Sequence, residues 1–199
     1  MRFTLAEFIF VQIFLSLIIE CLLVEALPRK QSFRQQQGEN DRGLRSGYLY
    51  PTNRKKVVLM CHNKYYLVMV NDKLQGSVNP KIIKRYGKFE LLSFGVGVVR
   101  IFNVRARKYI AVDKKGRAYA TRNNTVDSLF KETQKESLFV TYHSLVHRAL
   151  EKSERRKWYL AIKKNGRFKR PSKTFSRHRS IEFLPQDWGK YKLHLMNSR

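Results

Sequence analysis

Between Arg155 and Ile181 the chain carries eleven Lys or Arg and no Asp or Glu: Arg155, Arg156, Lys157, Lys163, Lys164, Arg167, Lys169, Arg170, Lys173, Arg177 and Arg179. Such side chains make and break no bonds; they offer fixed positive charge and hydrogen-bond donors. Held together on a fold they repel one another, so the spacing points to a polyanionic ligand whose binding releases counterions and weakens steeply with salt. Asn165 and the amides of the Asn165-Gly166 turn add donors for the same anions. Residues for catalysis are not grouped in this way. The five histidines, His62, His143, His147, His178 and His194, stand without a paired carboxylate or a nucleophile, so neither an enzyme nor a cofactor is expected. His143 and His147 lie four apart, but spacing positions no third ligand, and no metal site is expected.

The elements that must position this cluster read as strands. From Val57 onward, short runs rich in Val, Ile, Phe and Tyr (VVLM, YYLVMV, FELLSF, VGVVRIFNV, KYIAV, RAYAT, SLFVTY, WYLAI, SIEFL) are separated by turn residues. Asp113 to Gly116 and Lys163 to Gly166 each place Gly at the end of a tight reversal. His143 to Lys157 departs from the pattern, with helix formers and few strand formers, and is expected to be a long loop or a short helix. Three copies of one pattern recur: Tyr66-Leu67-Val68-Met69-Val70, Tyr109-Ile110-Ala111-Val112-Asp113 and Tyr159-Leu160-Ala161-Ile162-Lys163. Seven residues beyond each Tyr stand Lys73, Gly116 and Gly166. Three copies of a four-strand unit imply an all-β, pseudo-threefold β-trefoil of twelve short strands, a barrel closed at one end by three hairpins. Trp158, Tyr159, Phe168 and Phe183 fall at strand positions and read as core. Phe175, inside the basic loop, has no role legible from its spacing.

The remaining organisation follows from composition. The 199 residues carry 41 Lys plus Arg against 15 Asp plus Glu, a net charge of +26, and 43% hydrophobic content that argues against global disorder. Residues 1–26 read as a cleaved signal peptide: Arg2, the apolar run from Phe8 to Ile19, then Val24 and Ala26 before the cut. Glu20 and Glu25 interrupt the run, against a membrane anchor. Cleavage leaves 40 basic and 12 acidic residues, a charge of +28, and removes Cys21, so Cys61 is left without an internal disulfide partner and reads as a buried small hydrophobe. Secretion favours sulfated extracellular glycan over nucleic acid as the polyanion, and no membrane insertion is expected after cleavage. Residues 27–54 read as a flexible polar leader, 55–186 as the core and 187–199 as a C-terminal tail. Asn123-Asn124-Thr125 is an acceptor sequon in a turn, which makes Asn123 a candidate glycosylation site.

The segments Phe94 to Thr121 (FGVGVVRIFNVRARKYIAVDKKGRAYAT), Leu129 to Glu132 (LFKE) seven residues ahead of Phe139 to Tyr142 (FVTY), and Trp158 to Pro185 (WYLAIKKNGRFKR…IEFLP) stand in an order and spacing that resembles the fibroblast growth factor family. The resemblance runs from about Val57 to Pro185. It implies a secreted growth factor that binds and dimerises fibroblast growth factor receptor-type tyrosine kinases, with a heparan sulfate proteoglycan as co-receptor. Carried over by position, heparan sulfate contacts fall on Asn63, Lys164, Asn165, Lys169, Lys173, His178 and Arg179. Lys163, Arg170 and Arg177 extend the patch, and Pro171 replaces a glycine common there. Receptor contacts fall on Met60, Glu132, Phe139, Val140 and Leu184. Met60, Phe139, Val140 and Gln186 depart from the family's residues, which keeps apolar contact and loses hydrogen bonds, and Ser128 stands where many members have Cys. The alternative class is a secreted, lectin-like β-trefoil glycan-binding module without receptor activation. That module predicts similar exposed residues in all three copies, whereas the basic cluster lies in the third.

Overall fold

A computed structural model describes residues 50–135, 137–150 and 155–197. The expected signal peptide and residues 27–49 of the expected leader lie outside these. Eleven strands are present among the described residues: β1 (Asn53–Cys61), β2 (Tyr66–Val70), β3 (Lys73–Ser77), β4 (Phe89–Ser93), β5 (Val98–Asn103), β6 (Lys108–Val112), β7 (Ala118–Thr121), β8 (Phe130–Gln134), β9 (Val140–Leu150), β10 (Arg155–Tyr159) and β11 (Glu182–Asp187). Two α-helices accompany them among the described residues, α1 (Pro80–Tyr86) and α2 (Trp188–Asn197).

Antiparallel pairing runs from β1 to β4, to β5, to β8, to β9, to β11 and back to β1, which closes a six-stranded barrel with no free edge. Each repeat contributes two of these strands. The hairpins β2–β3 and β6–β7 branch from the first and second repeats. The fold is the expected β-trefoil. Its third hairpin is reduced to a single bridge, Ile162 to Phe168, in place of a twelfth regular strand. Leu160 donates to Tyr142 O and Ile162 to Ser180 O, while Lys163 donates to Arg167 O and Lys169 to Ala161 O across the hairpin, so the chain there is tied to β9 and to the following loop as well as to its own return limb.

The alternation of side chains along each barrel strand decides the core. On β1, Val57, Leu59 and Cys61 face inward to join Phe89, Ile101, Phe130, Tyr142 and Phe183, all essentially inaccessible to solvent. A fully buried side chain of this size contributes roughly 1.5–3 kcal/mol, and packing carries the stability because Cys61 is the only cysteine among the described residues and is unpaired. Burial raises the Cys61 thiol above its ordinary pKa. Ser128 is buried and accepts a hydrogen bond at 3.1 Å from Arg100 Nε, so the position uses a hydroxyl to serve an interior guanidinium. Trp158, Tyr159 and Phe183 are buried and Phe168 is half-buried against the core.

The turns vary with their residues. Gly116 (φ +66°) and Gly166 (φ +77°) end the second and third reversals in the left-handed region, as their spacing predicts. A Cβ at Gly166 would lie 2.7 Å from the Tyr65 ring. In the first repeat, Asn71 (φ +47°) and Asp72 (φ +63°) take the left-handed conformation instead, so a two-residue turn frees Lys73 to begin β3.

In the segment from His143 to Lys157, expected as a loop or short helix, the described residues 143–150 and 155–157 are strand. β9 continues to Leu150 and pairs with β10 in register Arg155↔Leu150, Arg156↔Ala149 and Lys157↔Arg148. Helix propensity there is a weak local preference, and ladder pairing with side-chain anchoring overrides it. Leu145 donates its amide to Leu129 O, and His147 Nε2 lies 2.7 Å from Asp127, which also accepts the Tyr119 hydroxyl at 2.6 Å. Residues 151–154 lie outside the described set.

The segment beyond residue 187 forms α2, capped by Asp187 Oδ1 accepting the Lys190 amide at 3.0 Å. Tyr191 packs beside Tyr66, and with Val58, Val68 and Ile83 they form a second apolar cluster on the outer face of β1 and β2. No helix among the described residues is long and apolar enough to cross a membrane, and none of their His, Cys, Asp or Glu side chains gather in threes as a metal would need.

His143 supplies a test of this packing. Burial, then Lys157 and Lys131, lower its pKa from 6.5 to about 4. Between those values the unfolded chain takes up a proton that the folded chain refuses, so stability declines as pH falls from 6.5 toward 4 and is unaffected by this group above 6.5. His143→Phe should flatten that decline by on the order of 2–3 kcal/mol, read from urea unfolding at pH 7 and pH 4.5.

Candidate functional site

The sequence-predicted cations come together on the third repeat. Lys163, Lys164 and Asn165 are exposed on the turn closed by Gly166, and Asn165 Oδ1 accepts the Arg167 amide at 3.1 Å. Arg170, Lys173, Arg177 and Arg179 are exposed on the loop that follows, which winds through two short 3-10 turns, Pro171–Lys173 and Arg179–Ile181. Pro171 starts the first of these, where a fixed φ and a missing N–H suit a helical first position. Asn63 is brought in from the β1–β2 connection, and its side-chain amide donates to Ile162 O at 2.8 Å. That bond ties the two segments together and uses one of its donors internally.

Lys169 and His178 are half-buried within the loop, with Lys169 Nζ 3.1 Å from His178 Nδ1. The Phe175 amide also donates to that nitrogen at 3.1 Å. An ammonium and a backbone N–H can only donate, so Nδ1 is the acceptor of a neutral imidazole and the ring proton sits on Nε2. Burial, then Lys169 and Arg177, lower the His178 pKa; burial and then Lys163 lower that of Lys169. Burial is the larger cause in each case; the smaller part, from neighbouring like charges, is the part that a polyanion would relieve.

Phe175 organises this crowding. Its ring lies 4.6 Å from the Arg156 guanidinium and 5.0 Å from that of Arg177, with His178 edge-on at 5.3 Å. Arg156 also donates to Ser172 O at 3.0 Å. Two guanidiniums that would repel in open solvent are thus held at one aromatic residue, each gaining roughly 0.5–2 kcal/mol from the ring. The sequence held one sign of this role, an aromatic set among arginines, but Arg156 comes from β10 and is joined to it only by folding.

The candidate receptor residues divide. Met60 and Leu184 are directly opposite on β1 and β11, both on the outer face and half-buried. Phe139 extends this strip through the His62 ring, 5.3 Å away. Gln186 joins it, accepting the Tyr66 hydroxyl at 3.3 Å while its amide lies 4.0 Å from Met60 Sδ. Val140 is different: it pairs with inward-facing Phe183 and packs against the barrel core. Glu132 lies at the barrel wall with one carboxylate oxygen accepting the buried Tyr142 hydroxyl at 2.9 Å. That carboxylate, with burial leading, pushes the Tyr142 pKa well up. Tyr142 is therefore the residue that orients Glu132. Asn123, the sequon residue, is exposed in a turn where its amide meets Thr121 Oγ1 at 3.1 Å.

Residues 55–184 match the model of the family described as fibroblast growth factor. Among curated relatives, fibroblast growth factor 3 of Gallus gallus is 28% identical over 187 residues, 85% of this chain and 83% of that protein. Fibroblast growth factor 3 of Xenopus laevis is 30% identical over 145 residues, 68% of this chain and 59% of that protein. Fibroblast growth factor 1 of Notophthalmus viridescens is 30% identical over 134 residues, 66% of this chain and 96% of that protein. The chain thus aligns with little more than half of the frog relative's length.

The role of Phe175 is testable without changing net charge. Phe175→Leu keeps an apolar side chain but removes the ring face. Elution from a sulfated polyanion column should shift to lower salt, with affinity down roughly three- to tenfold and the melting temperature little changed.

Proposed function

Because the chain belongs to the fibroblast growth factor family, we propose that it is a secreted growth factor that binds and dimerises receptor tyrosine kinases of the fibroblast growth factor receptor type, with heparan sulfate as co-receptor. The observation that carries this reading is the exposed, acid-free cation surface of Lys163, Lys164, Arg170, Lys173, Arg177 and Arg179 on a core that matches the growth-factor family. Sulfates spaced along a glycan replace the small counterions that such a surface otherwise collects. Ligand and receptor tethered on one glycan then meet at the effective concentration set by the tether. The outer strip of Met60, Leu184 and Phe139 gives the receptor an apolar contact, and Glu132, oriented by Tyr142, gives it an anion at the rim. Dimerisation brings the receptors' kinase domains together, and the ligand itself performs no chemistry. Export rests on residues 1–26 as signal peptide, and the exposed Asn123 is a site for glycan addition on the way out. A lectin-like module is the weaker reading, because the cations belong to the third repeat rather than to all three.

Three measurements test the reading. Receptor tyrosine phosphorylation on cells expressing candidate receptors should require the protein and fall when heparan sulfate is removed; silence on every receptor of the type overturns it. Combined Lys164→Gln, Lys169→Gln, Lys173→Gln and Arg179→Gln should lower the salt needed for heparin elution, and unchanged retention would move the glycan site elsewhere. Glu132→Gln, which keeps an acceptor for Tyr142, and Phe139→Ala should each weaken signalling by roughly tenfold while heparin retention persists. Equal loss of both activities would indicate misfolding.

A further inference from the structure

The basic loop is fastened to another repeat. Arg170 donates from its guanidinium to Lys115 O at 2.8 Å, across 55 residues of sequence. The Ser172 amide donates to Gly116 O at 3.1 Å, and the approach is so close that a Cβ on Gly116 would stand 2.4 Å from the Ser172 side chain. These contacts hold the β6–β7 turn, with exposed Lys114 and Lys115, against the edge of the loop that carries Arg170 and Lys173. The local carboxylate does not neutralise the added charge. Asp113 takes Arg117 Nε at 2.8 Å and the Lys115 and Arg117 amides at 2.9 Å each, and although burial opposes it, these bonds hold the Asp113 pKa below the ordinary range. Among the described residues no acidic side chain pairs with Lys114, Lys115, Arg170 or Lys173.

We propose that the polyanion surface is composite: Lys114 and Lys115 form a second lobe, clamped to the third-repeat loop by Arg170 and Ser172, that binds sulfates of a glycan long enough to cross from one repeat to the other. The inference rests on the glycan reading above and adds to it a preference for chain length. Packing two cationic turns together costs repulsion that the backbone hydrogen bonds offset in the free protein, and a continuous polyanion removes it on binding. A short fragment meets the third-repeat loop alone and gains nothing from the second lobe.

Titration of the full secreted chain with a heparin tetrasaccharide and a heparin decasaccharide decides the matter. Lys114→Gln with Lys115→Gln should weaken the decasaccharide roughly five- to tenfold and lower its salt slope by about one to two, while the tetrasaccharide is bound as before. Lys114→Arg with Lys115→Arg should restore the long fragment. Lys81→Gln with Lys84→Gln on α1 removes the same charge outside the loop and should leave both fragments within about twofold. Decasaccharide affinity unchanged by the Lys114 and Lys115 substitutions, or lowered equally by the α1 pair, overturns the second lobe while the glycan reading stands. Failure of the unsubstituted protein to bind either fragment overturns both.

Discussion

β1 pairs on one side with β4 and on the other with β11, and that double pairing closes the barrel on which every other feature hangs. A six-stranded ring leaves no edge, and its interior holds Phe89, Phe130, Tyr142 and Phe183 away from water. Without a disulfide among the described residues, this closure is what fixes the loops relative to one another. The pleat then assigns duties by alternation. Val57, Leu59 and Cys61 point in, while Val58 and Met60 point out, the first under the helical cap and the second toward the strip shared with Leu184.

Charge imposes the second constraint. Within the basic loop Arg170 is held by a carbonyl, Arg177 by the Phe175 ring that it shares with Arg156, and Lys169 by a neutral imidazole. Carboxylates are spent elsewhere, Asp113 on its own turn and Glu132 on Tyr142. Arg170, Arg177 and Lys169 are therefore ordered without a carboxylate partner among the described residues, and burial, followed by the neighbouring cations, lowers the pKa of Lys169 and of His178. Order of this kind reduces what a polyanion must give up to bind, because fewer side chains have to be immobilised on contact.

Much of this was legible before folding. Strand periodicity, the two turn glycines and the threefold recurrence of an aromatic-led strand led to the β-trefoil, and the hydrophobic run around Cys61 led to its burial. The segment from His143 to Lys157 was misread because its helix formers are a local preference, whereas its strand form depends on pairing between β9 and β10 and on Asp127, some 20 residues away. Val140 enters the receptor set by its position in the family pattern, and its packing against the core is decided by the register of β9 on β11, which pairs it with Phe183. Phe175 had no reading until Arg156 arrived from another strand.

Pattern along the chain settled what recurs locally: which residues alternate, where the chain reverses, and how much charge it carries. Which cations share one surface was settled only by closure of the barrel, because Lys115 and Arg170 are separated by 55 residues and meet through a backbone carbonyl that any residue could supply. A carbonyl has no signature in composition or spacing, so a contact made to one can be read only from the fold.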